Sequence, residues 1–92
     1  RRSKRALTDA IDRALIDLLA IYRDILMVQV GGDGELINTD LSGLVHQIAQ
    51  DSTPRQTLAR VDHIETARKR LVSNGNPLLV LEDMAISLRP QA

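Results

Sequence analysis

At 92 residues with no cysteine, the chain can bury one modest core and can build neither a disulfide framework nor a thiolate metal site. Basic and acidic residues cancel at twelve each and Tyr22 is the lone aromatic, which argues against a nucleic-acid binder's charge balance and against a base-stacking platform. Leu, Ile, Val and Ala must fill the interior almost alone, and that favours helix packed on helix.

The charges are unevenly spread. Residues 1–5 carry four positive charges, residues 6–51 a balance of −6, and residues 52–92 a balance of +2. Arg1, Arg2, Lys4 and Arg5 are not followed by a continuous apolar run, and no stretch reaches membrane-spanning length. A soluble, intracellular protein is expected, with no membrane partner. An opening Arg rather than Met predicts a piece of a longer protein. Residues 1–5 read as the end of a basic linker or the start of the first helix, and residues 6–90 as one helical domain.

The first helix is predicted from about Lys4 to Val30. Leu7, Ile11, Ala14, Leu15, Leu18, Tyr22, Ile25 and Leu26 recur at three- and four-residue intervals and form its main stripe. Ile16, Ala20, Met27 and Val28 form a weaker second set that needs a partner of its own. Asp9 and Asp12 fall off the stripe and read as a solvated face. Gly31-Gly32-Asp33-Gly34 then breaks the helix. As a phosphate cradle it lacks the flanking strand and the Lys-Ser or Lys-Thr that such loops require, so it reads as an interhelical loop.

After Leu36-Ile37, Asn38, Thr39 or Asp40 is the expected N-cap of a short second helix near Leu41–Gln50, with Leu41, Leu44, Val45, Ile48 and Ala49 apolar. Thr53-Pro54-Arg55-Gln56 reads as a capping box with Pro at the first helical position. It opens a third helix, Pro54–Val72, whose stripe is Leu58, Val61, Ile64 and Leu71. Asn74 and Gly75 tolerate positive φ and should end it. Asn76 as N-cap and Pro77 at the first position start the last helix, Pro77–Leu88, with Pro90 beyond. That helix is apolar nearly all round and is expected to be covered on more than one side. The fold class is all-α, a small bundle of about four helices.

No catalytic, cofactor or metal constellation emerges. His46 and His63 lie on different helices without metal-ligand spacing. Arg55, Arg60, Arg68, Lys69 and Arg70 make the third helix basic. Phosphate contact with DNA is one reading, and a solvated face with helix-dipole complementation is the favoured one. Glu82, amid apolar residues, either pairs with a cation in the domain or across an interface, or lies on the one wet edge of its helix. Arg23 and Asp24 are expected to bond neighbouring helices or another subunit, and Tyr22 needs a partner for its hydroxyl if buried. The candidate interhelix or subunit-contact residues are Tyr22, Arg23, Asp24, Met27, Leu81, Glu82, Met84 and Ile86. The structural caps are Thr53, Pro54, Asn74, Gly75, Asn76 and Pro77.

Three islands, in this order and spacing, carry a resemblance: Tyr22-Arg23-Asp24-Ile25-Leu26, Leu36-Ile37-Asn38, and Asn74-Gly75-Asn76-Pro77 through Leu81-Glu82. Over about residues 15–88 the chain resembles the C-terminal domains of bacterial DNA polymerase III δ′ subunits, although Tyr22 stands where Trp is common and Gly75 where a bulkier residue is usual. The resemblance implies a noncatalytic collar domain without a cofactor, in a bacterial cytoplasmic complex. Its AAA+ region, with the ATP site, arginine finger and zinc module, would lie N-terminal to this chain. The implied partners are γ/τ and δ subunits, with the β sliding clamp and DNA reached only through the whole complex. A γ/τ collar and a small DNA-binding module stand as alternatives, and the isolated fragment is a candidate for self-association.

Overall fold

A computed structural model of the chain describes residues 2–32, 34–74 and 76–89. It contains helices α1 (Arg2–Gln29), α2 (Ser42–Asp51), α3 (Pro54–Asn74) and α4 (Pro77–Ser87), with a single 3-10 turn at Thr39–Leu41. No strand occurs among the described residues. At 28 residues α1 is about 42 Å long, given 1.5 Å per residue, and so spans nearly the whole 45 Å length of the molecule. None of the described helices is long and apolar enough to cross a membrane.

The other helices lie along α1 as a spine. Helix α3 packs against it, α4 packs on α3 and touches α1, and α2 packs on α1 from another direction. Two apolar clusters result. Leu15 and Leu19 of α1 meet Ile64, Ala67 and Leu71 of α3 and Val80 and Met84 of α4. Ile25 of α1 meets Val45 and Ala49 of α2. Tyr22 is half-buried and packs against both.

Helix α1 ends as its glycines require. Gly31 takes φ +72°, its N–H donates to the Val28 carbonyl (3.2 Å), and the Gly32 N–H donates to that of Met27 (3.0 Å). This paired 5→2 and 6→1 closure satisfies two carbonyls that the helix end would leave open. A Cβ at Gly32 would collide with the Met27 thioether.

Several expectations are corrected. Leu19, outside both predicted stripes, is buried, whereas Leu7, Ala14 and Ile16 are exposed; on α1 the clusters begin only at Ile11. On α3 the inward position is Thr57, fully buried, and Leu58 is 55% exposed. One residue is about 100° of helix, so with Thr57 aligned to Ile64 and Leu71 its neighbour must point away. None of Asn38, Thr39 and Asp40 caps α2. The 3-10 turn intervenes, Leu41 takes the cap position without a side-chain bond, and the Asn38 amide is engaged elsewhere. Finally, within the chain itself α4 is covered on one side, which leaves its expected second cover to a partner. Pro77, Val80 and Met84 are buried and Leu81 and Leu88 partly so, while Leu78, Leu79 and Ile86 face solvent.

Candidate subunit-contact surface

The surface is shaped by three polar nodes that lock the helices. The first is Asp24, only 2% exposed. Its Oδ1 accepts from the Ile37 N–H (2.7 Å), and its Oδ2 accepts from the Asn38 N–H (2.8 Å) and from Asn38 Nδ2 (3.0 Å). Burial pushes this carboxyl up, but the three hydrogen bonds together outweigh it and hold the group below its ordinary value of 3.8. Asp24 thus draws the segment after the glycine loop onto α1.

Gln29 forms the second node, where α1 ends against the α2–α3 junction. Its Nε2 donates to Ser52 Oγ (3.0 Å) and the Ala49 carbonyl (3.3 Å), and its Oε1 accepts from Thr57 Oγ1 (2.7 Å). Ser52 Oγ donates in turn to the Ile48 carbonyl (2.6 Å). Sequence reasoning missed Gln29 and Thr57, since neither stands in a local motif.

The third node pairs α1 with α3. Arg68 Nε and Nη2 donate to the two Asp12 oxygens at 2.8 and 3.2 Å. The Arg68 hydrogen bonds hold the Asp12 carboxyl below its usual range against the opposing effect of burial. Asp12 is therefore a bonded, half-buried group rather than part of a solvated face. Arg70 approaches Asp83 of α4 at 3.9 Å, with both side chains about half exposed. The basic series on α3 is thus partly answered within the domain.

The caps are local. The Thr53 N–H donates to Gln56 Oε1 (2.9 Å) and the Gln56 N–H to Thr53 Oγ1 (3.2 Å), with Pro54 the first residue of α3. Asn76 Oδ1 accepts from the Leu79 N–H (3.2 Å), and Pro77 is buried at the start of α4. Asn74 is the last residue of α3, and Gly75 lies outside the described residues.

The other singled-out residues divide. Met84 is in the core and Leu81 borders it, whereas Arg23, Met27, Glu82 and Ile86 are exposed. Besides Leu7, Ile16, Leu58 and Val72, the large exposed apolar side chains fall on two stretches of the chain. Leu78, Leu79 and Ile86 lie on α4. Met27, Val30, Ile37 and Leu44 belong to the end of α1, the following segment and α2. His46 and His63 are both exposed, with His46 Nδ1 2.8 Å from the Ser42 carbonyl. Among the described residues no three His, Asp or Glu side chains converge as a metal site would require.

Comparison with known proteins supplies the context for such a surface. The family described as "DNA polymerase III, delta subunit, C terminal" matches residues 6–89. DNA polymerase III subunit delta′ of Bacillus subtilis (strain 168) is 36% identical over 72 residues, which cover 78% of this chain and 22% of that relative. The match thus spans about a fifth of the relative's length. No solved structure matches the chain significantly.

Proposed function

This chain belongs to the family described as DNA polymerase III, delta subunit, C terminal, and on that premise we propose that it is the noncatalytic collar domain seating a δ′-type subunit in a bacterial clamp loader. The observation that carries the reading is the match over residues 6–89, which takes in nearly all of α1 and the whole of α2, α3 and α4. Identity to a delta′ subunit favours δ′ over a γ/τ collar.

The role proposed is assembly. A ring built from unlike subunits needs each to offer two different surfaces. The exposed apolar residues of α4 lie on the helix that packs on α3, and Met27, Val30, Ile37 and Leu44 lie on or next to the helices that share the Ile25, Val45 and Ala49 cluster. The nodes at Asp24, Gln29 and Asp12 tie the Ile37–Asn38 segment, the α2–α3 junction and α3 to α1. The partners are γ/τ and δ subunits, and the β sliding clamp and DNA are reached only through the assembled loader. Arg68, committed to Asp12, lends little to the alternative of a DNA-binding helix.

Co-elution of the full-length subunit with γ/τ and δ subunits tests this. A form lacking residues 1–92 should lose assembly. Undiminished assembly by that form would overturn the collar reading.

A further inference from the structure

Helix α4 has a second face, opposite the buried one, with an unusual composition. At about 100° per residue, Leu78 and Ile86 sit roughly 40° to either side of Glu82, and Ala85 and Leu79 roughly 60° to either side. All five are exposed, with Leu78 at 59%, Leu79 at 49% and Ile86 at 61%. A carboxylate therefore stands at the centre of an aliphatic face. It has no ion pair among the described residues, although Asp83 beside it lies within reach of Arg70.

We propose that this face of α4 docks an apolar surface of a neighbouring subunit that carries one Arg or Lys, with Glu82 receiving that cation at the centre of the contact. The inference rests on the collar reading and specifies the chemistry of one of its contacts. Charge selects the occupant. In a two-fold pairing of this chain through the same face, Glu82 would meet its own copy, and like charges brought together without water disfavour that arrangement. A cationic partner reverses the sign. The aliphatic ring around Glu82 would exclude water from the pair, which strengthens both its attraction and its selectivity.

The test titrates the full-length subunit with γ/τ and δ subunits at several salt concentrations. The variants are the double substitution Leu79→Ser with Ile86→Ser, and separately Glu82→Arg. Leu58→Ser, on an exposed position of α3, is the control. Circular dichroism checks that each variant stays folded, and Leu78→Ser replaces the double variant should that one unfold. The double variant and Glu82→Arg should each weaken assembly about tenfold or more, with the control unchanged. Glu82→Gln should weaken it less and flatten its salt dependence. Wild-type affinity in the double variant and in Glu82→Arg, with assembly still lost on removing residues 1–92, overturns the α4 site and leaves the collar reading standing. Assembly that survives that removal overturns both. If Glu82→Arg binds normally while the apolar substitutions weaken binding, Glu82 only keeps the face soluble and the cationic partner is wrong. A dimer of the subunit by light scattering that the double variant dissolves would make the occupant a second copy and overturn the proposal.

Discussion

Asp24 illustrates how one side chain sets a local structure that its neighbours in sequence do not specify. Its partners are the backbone of Ile37 and both amides of Asn38, thirteen and fourteen residues away. Asp24→Asn keeps the shape but turns an N–H₂ toward an N–H donor, and leaving such a buried group unpaired costs about 1–3 kcal/mol. In a domain of this size, thermal melts at pH 7 should fall by roughly 4–8 °C for each kcal/mol lost. The pH dependence follows from the direction of the shift. Because folding lowers the Asp24 pKa below 3.8, the stabilisation is complete above that pH and is lost as the pH falls through the folded value. The gap between wild type and Asp24→Asn should therefore be constant near neutrality and shrink below about pH 3.8. A gap that persists unchanged in acid would mean that the charge plays no part. The sequence drew attention to Asp24, Arg23 and Tyr22, but it could not say that Asp24 would serve a loop rather than another helix.

Among the elements, what was legible is what is local. The Thr53–Gln56 exchange involves four consecutive residues, and the glycine stop after α1 and the Asn76-Pro77 start of α4 are equally short-range. Local pattern and structure part where a distant group competes for a side chain. Asn38 reads as an N-cap until Asp24 takes its amide. Leu58 reads as core until Gln29 offers a part-buried acceptor to the fully buried Thr57, whose inward position leaves the neighbouring leucine outside. The contrast can be measured by urea denaturation. Thr57→Val should cost about 1–3 kcal/mol because Gln29 Oε1 loses its donor. Leu58→Val, at the exposed position, should stay within about 0.5 kcal/mol of wild type. Equal effects at the two positions would contradict the orientation of α3.

For the whole molecule, the all-α class was readable from the helical periodicities and from the near absence of aromatic residues. The division of the interior was not, because periodicity identifies apolar faces without pairing them. Helix α1 is shared, while α2 depends on the smaller cluster of Ile25, Val45 and Ala49 and on the Asp24 and Gln29 nodes. Segments held by few buried contacts open at lower free energy than the global transition. Amide exchange should accordingly find Ser42–Asp51 less protected than the inner faces of α1 and α3. Asp24→Asn should deprotect Ile37, Asn38 and α2 while leaving α4 unaffected. Uniform protection across all four helices would show that the two clusters open as one unit.

Tyr22 touches both clusters in a chain with no tryptophan and no phenylalanine. All near-ultraviolet absorption and intrinsic emission of the chain thus originate at the seam between its two halves. An optical signal recorded on this domain reports the seam itself. A change in tyrosine emission at constant far-ultraviolet ellipticity would register α2 and the α3–α4 pair shifting about α1 while every helix stays wound.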